Sequence, residues 1–209
     1  MNRHMSRALG PVALATLMAI PFAANSESNV QTGAGPLTAN AKVDFQITIP
    51  KVLFLQVGSG TAFANNPSVA LIDFTVATGS VGNGTPVAAS LGSGDLGNGT
   101  VTAKVFGNGN GNVSLVATNG GALSNGAGGT IDWSQITTNV ANLSTATALT
   151  APTLANTTSN TVTLTPTLGI VNQDAKWTYS YANNTAVPGG TYGGINTNNG
   201  RVTYTATLP

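Results

Sequence analysis

Apolar and polar residues alternate most regularly in AKVDFQITIP, residues 41–50. Val43, Phe45, Ile47 and Ile49 fall on one side, and Lys42, Asp44, Gln46 and Thr48 on the other. A pleated backbone sends successive side chains to opposite faces, so this period of two predicts a half-buried β-strand. Pro50 has no N–H to give a ladder and predicts a bend, a bulge or an edge position. KVLFLQV (51–57) resumes the strand, and SVALIDFTVAT (68–78) predicts the next. TVTAKVF (100–106) and NVSLVAT (112–118) flank GNGNG and predict a hairpin. TIDWSQITT (130–138) predicts a strand or strand–turn, and the Thr/Ala-rich stretch 141–160 a long loop. Alternation returns in NTVTLTP (160–166), AKWTYSYA (175–182) and GRVTYTATLP (200–209). In the last of these, Val202, Tyr204, Ala206 and Leu208 share one face.

Between these runs lie Gly-rich segments, and 79–99 contains Asn-Gly pairs at 83–84 and 98–99. Asn-Gly tolerates the positive φ angles of tight hairpin turns. No stretch after residue 26 carries a helical period. About nine short strands separated by turn signals predict an all-β fold, an antiparallel β-sandwich of immunoglobulin-like or pilin-like type. Residues 27–40, ESNVQTGAGPLTAN, have no sustained periodicity and are expected to form a flexible leader, with 41–209 as a single domain.

The N-terminus changes the compartment. Arg3 and Arg7 precede the apolar run ALGPVALATLMAIPFAA, and the small residues Ala24 and Ser26 follow it. That order predicts a secretory signal peptide over residues 1–26, and hence an exported protein at the cell surface or outside the cell. With the signal removed, five basic residues stand against six acids, a net charge of about −1. Such a chain lacks the basic stripe that phosphates require, so neither nucleic acid nor an anionic membrane surface is an expected partner, and without a second apolar span no membrane insertion is expected after the signal is removed. Cysteine is absent, so core packing and hydrogen-bond ladders must hold an exported fold without disulfides. No lipid anchor at the signal cut is expected, nor wall anchoring through a sorting tail after Pro209.

Catalytic chemistry finds little material. The one histidine, His4, lies within the predicted signal, which removes Ser–His–Asp and Cys–His catalysis and the usual zinc ligands. Asp44 and Asp73 sit in alternating runs at outward positions, whereas Asp95 and Asp174 fall in turn-like segments. None has a visible reason for a perturbed pKa, and no enzyme activity, metal or cofactor is expected. GSGDLG (92–97) matches G-x-G-x-x-G, but a strand rather than a helix follows it, so hairpin glycine is the better reading. Trp177, Tyr179 and Tyr181 share a face: either a core stripe, which the low aromatic content favours, or a platform for sugar rings. The second possibility defines the alternative function, a secreted adhesin or carbohydrate-binding module.

The segment VPGGTYGGINTNNGRVTYTATLP (187–209) resembles the C-terminal end of bacterial fimbrial surface subunits. There, a turn like Pro188-Gly189-Gly190-Thr191-Tyr192 leads into a final alternating strand, here carrying Val202, Tyr204, Ala206 and Leu208. The resemblance implies a structural subunit of a pilus or extracellular filament acting in cell adhesion. Its partners would be other copies of itself, with a periplasmic chaperone and outer-membrane assembly machinery serving its export. This chain departs from many pilins in lacking a disulfide, and Tyr204 stands further from the end than the usual terminal tyrosine.

Residues 41–49 are therefore open to two readings. They could be donated to a neighbouring copy, backbone hydrogen bonds giving affinity and alternate side chains filling pockets. They could instead be the first strand of their own domain, beside 201–208, and local sequence favours this because terminal strands usually pair within one domain.

Overall fold

The structure, a computed structural model, describes residues 28–209. The predicted signal peptide lies outside the described residues. The chain divides into two units, Met1–Ile49 and Pro50–Pro209.

In the first unit, the described residues 28–49 contain no strand, and all are exposed. The expectation that 41–49 pairs beside 201–208 is corrected here: the alternating pattern is present, but no ladder among the described residues takes it up. A period of two specifies which face would be buried and leaves the partner unspecified.

The second unit is all-β, and every pairing between its strands is antiparallel. A five-stranded sheet contains β1 (Leu53–Val57), β2 (Val87–Ala88), β3 (Thr100–Gly107), β7 (Ile136–Ala141) and β9 (Val171–Tyr181). A three-stranded sheet runs in the order β10 (Thr203–Thr207), β4 (Val113–Thr118), β8 (Val162–Leu164). A small ribbon joins β5 (Leu123–Ser124) to β6 (Thr130–Ile131). Short 3-10 turns occupy Thr78–Ser80 and Trp133–Gln135. Among the described residues, no helix is long and apolar enough to cross a membrane.

Alternation becomes burial throughout this unit. Val101, Ala103 and Val105 of β3, Val113, Leu115 and Ala117 of β4, and Val171, Ala175 and Trp177 of β9 meet in one core. Val202, Tyr204, Ala206 and Leu208 pack against that core, while Thr203, Thr205 and Thr207 are exposed.

The predicted 100–106/112–118 hairpin does not form. β3 pairs with β1 and β9, whereas β4 pairs with β8 and β10. The intervening GNGNG carries the chain from one sheet to the other, so the two strands bury their apolar faces in a shared core instead of hydrogen-bonding. The expected strand over 68–78 is absent as well: the segment runs extended with a single bridge, Phe74 to Ala89. The Asn98-Gly99 turn is as expected: both residues have positive φ, and Gly97 pairs with Thr100 across it. Gly99 is required there for space as well, since an added Cβ would lie 2.5 Å from the Cβ of Ala89.

Candidate functional site

The candidate site lies where the second unit leaves strand edges unpaired. β1 is an edge strand, and after Gly58 the chain returns as the extended segment 68–77, in which Ile72, Phe74 and Val76 turn inward and are half-buried. Apart from the Phe74–Ala89 bridge and a bond from Ser90 N–H to the Asp73 carbonyl (2.7 Å), none of its backbone joins a ladder. Its outward residues Val69 and Leu71 are about half exposed. Across from it, β10 stands at the edge of the other sheet. Between them opens a cleft of about 850 Å³.

One wall of the cleft is 69–76. The other is built from Val187–Tyr192, Ile195, Gly200, Arg201, Val202 and Tyr204, with Val101, Tyr179 and Tyr181 of the five-stranded sheet also lining it. The lining begins at Val57 and Tyr204 and does not include Leu53 or Leu208. Exposed apolar clefts of this kind are a feature of interaction sites and ligand-binding grooves.

The Tyr179, Tyr204 and Tyr192 hydroxyls at the cleft find partners within the second unit. The Tyr179 and Tyr204 hydroxyls lie 2.8 Å apart. Burial pushes the Tyr204 phenol up to about 12. Burial, with the neighbouring Tyr204, drives Tyr179 well above its ordinary value. Tyr181 is raised by burial and by Tyr192. All three stay protonated at neutral pH and supply no nucleophile there. The Tyr192 hydroxyl donates to the Pro188 carbonyl (2.7 Å), which closes the Pro-Gly-Gly-Thr-Tyr turn on itself.

At one border of the cleft, buried Asn183 ties down the loop 80–85. Its amide nitrogen donates to the Ser80 carbonyl (2.6 Å), and its Oδ1 accepts from Gly82 N–H (2.8 Å). Sequence reasoning missed it; the signal available was the Asn183-Asn184 pair after an aromatic strand, which is indistinguishable from turn asparagine.

Trp177, Tyr179 and Tyr181 lie on the inward face of β9, with Trp177 fully buried and its Nε1–H donating to the Leu149 carbonyl (2.8 Å). Asp174 is not in a turn as expected but inside β9, on its outer face, and only 2% exposed. The loop after β7 covers it, and its carboxylate accepts the N–H groups of Ser144 (2.9 Å) and Thr145 (2.8 Å) and both hydroxyls. Burial alone would raise this carboxyl; the hydrogen bonds from Ser144 and Thr145 outweigh it and hold it at about 2. Asp73 is exposed and Asp95 lies in a turn, each as expected.

The leader belongs to the first unit. Val43, Phe45, Ile47 and Ile49 are 73%, 90%, 85% and 76% exposed, so every side chain of the predicted apolar face meets solvent. The residues that follow are anchored to the second unit. Val52 N–H donates to Asn108 Oδ1 (2.6 Å), Asn108 Nδ2 donates to the Pro50 carbonyl (2.7 Å), and the Lys51 ammonium donates to the Pro209 carbonyl. Pro50–Val52 is thereby held where β1 begins and β10 ends.

No family model, curated protein or solved structure matches this chain.

Proposed function

We propose that this protein is an exported structural subunit of a bacterial pilus or related extracellular filament, in which residues 41–49 of one copy enter the cleft of the next as an added β-strand. One observation carries the reading: a strand-patterned segment exposes its whole apolar face, and the folded unit exposes an apolar cleft beside an unpaired sheet edge. Each is the kind of surface the other would cover. Burying four large apolar side chains contributes about 6–12 kcal/mol before ordering costs. Backbone bonds along β10 and segment 68–77 add direction and affinity.

A second copy suits the cleft better than the chain's own leader. Asn108 anchors Pro50–Val52 beside the end of β10, whereas the cleft lining starts at Val57 and Tyr204. A leader entering its own cleft would have to reverse at that anchored point. Assembly of this kind needs no reactive group, which agrees with a chain lacking His and Cys after residue 26.

Deletion of residues 27–49 tests the reading. Negative-stain microscopy should show filaments for the complete exported protein and single folded particles for the deletion. An exported protein that stays solitary at high concentration would overturn it.

A further inference from the structure

Resting on that reading of the cleft, we infer that an ion pair between Asp44 of the donating copy and Arg201 of the receiving copy fixes the register of the added strand. Apolar burial cannot set that register by itself. Val43, Phe45, Ile47 and Ile49 are interchangeable apolar residues at every second position, so a slip of two residues puts one where another was. Such a slip moves the strand by about 7 Å yet still buries an apolar face. Some other feature must penalise it.

The charges are placed to do this. Charged residues make up 6% of the chain, yet two of them, Lys42 and Asp44, fall within 41–49, adjoining on its polar face. The cleft also presents two, of opposite sign and on opposite walls: Asp73 on segment 68–77 and Arg201 just before β10. Arg201 is half-buried and makes no side-chain hydrogen bond or ion pair among the described residues. A cation drawn partly out of water beside Val202 gains from an acid brought to it.

Parity agrees with this pairing. Arg201 shares the outward row of Thr203, Thr205 and Thr207, and Asp44 belongs to the leader's polar row, which faces outward when Val43 and Phe45 face the core. In register, Asp44 meets Arg201, and Lys42 falls toward Asp73. A slip of two residues one way sets Lys42 against Arg201, a like-charge contact; the other way leaves Arg201 facing neutral Gln46. Wrong registers are thus penalised by repulsion or by a missing partner.

The test is a charge exchange on the complete exported protein, refolded from denaturant at one concentration, with polymer growth followed by light scattering and microscopy. D44K alone and R201E alone should each slow assembly about tenfold or more. An equimolar mixture of D44K and R201E copies should assemble at close to the wild-type rate, since every contact in an alternating polymer then joins opposite charges. The D44K/R201E double variant should recover likewise. Should R201E fail to fold, D44K remains informative, because it changes only the exposed leader: its impairment should be relieved by R201Q, which removes the repelling charge. Single variants that assemble like wild type, or impairment that neither mixture nor double variant relieves, overturn the ion pair while leaving strand donation intact. A wild-type protein that never assembles overturns both.

Discussion

The hydroxyls of Tyr179 and Tyr204 meet at 2.8 Å and join the two sheets. Tyr179 belongs to β9 and Tyr204 to β10, and the ring of Trp177 packs 5.5 Å from that of Tyr204. This contact spans the core next to the cleft, so it ties the edge strand β10 to the opposing sheet where an added strand would need a firm wall.

Replacing one partner should therefore cost more than replacing both. Y204F strands a buried Tyr179 hydroxyl and is expected to destabilise by about 1–3 kcal/mol, whereas Y179F/Y204F should recover much of that loss. Denaturant titrations in a double-mutant cycle read the coupling. The pair also sets an alkaline limit. Because the folded Tyr204 phenol is raised to about 12 from an ordinary 10, its contribution is complete below pH 10 and fades as pH rises through 12. Ultraviolet titration of the wild type should show tyrosines that ionise only above pH 11.

Asp174 sets the acid limit. Its folded carboxyl is held at about 2 against an ordinary 3.8, so its stabilisation is present above pH 4 and lost as pH falls toward 2, a contribution of about 2 kcal/mol. D174N has one carbonyl to offer the Ser144 and Thr145 donors and should remove this acid dependence while destabilising at neutral pH by about 2–3 kcal/mol. Thermal melts from pH 7 to pH 2 distinguish it from wild type.

Glycine positions separate space from conformation. G99A faces both a φ of +72° and a Cβ 2.5 Å from Ala89, so it should destabilise by about 2 kcal/mol or more. G79A has open space within 4 Å and should be neutral or stabilise by up to about 1 kcal/mol. Equilibrium unfolding of the two variants provides the comparison.

What the amino-acid pattern conveyed was parity, and parity was honoured nearly everywhere: β1, β3, β4, the second half of β9 and β10 fall on runs whose alternation is visible. Which strand pairs with which was not legible. Alternation assigns faces, and the distant partner that completes a ladder leaves no local trace. For that reason TVTAKVF and NVSLVAT looked like a hairpin although they lie in separate sheets. For the same reason 41–49 and 68–78 looked like ordinary strands although neither joins a ladder among the described residues. Asp174 hid the first half of β9, because a polar residue on an outer face that a loop covers breaks no rule of alternation but suggests a turn. The Pro188–Tyr192 turn and the Val202–Leu208 face could be picked out in advance; that they border a cleft depends on the gap beside β10, which only the assembled sheets reveal.

Complementation between two half-disabled copies tests strand donation most directly. F45D/I47D spoils the leader and leaves the cleft whole; V202D spoils the cleft and leaves the leader whole. Circular dichroism establishes that each is folded, and sedimentation then measures mass. Each variant should be monomeric alone, and an equimolar mixture should form a one-to-one dimer that goes no further, because only one leader and one cleft remain intact. A mixture that stays monomeric, or a leader-spoiled variant that still builds filaments by itself, would contradict the account.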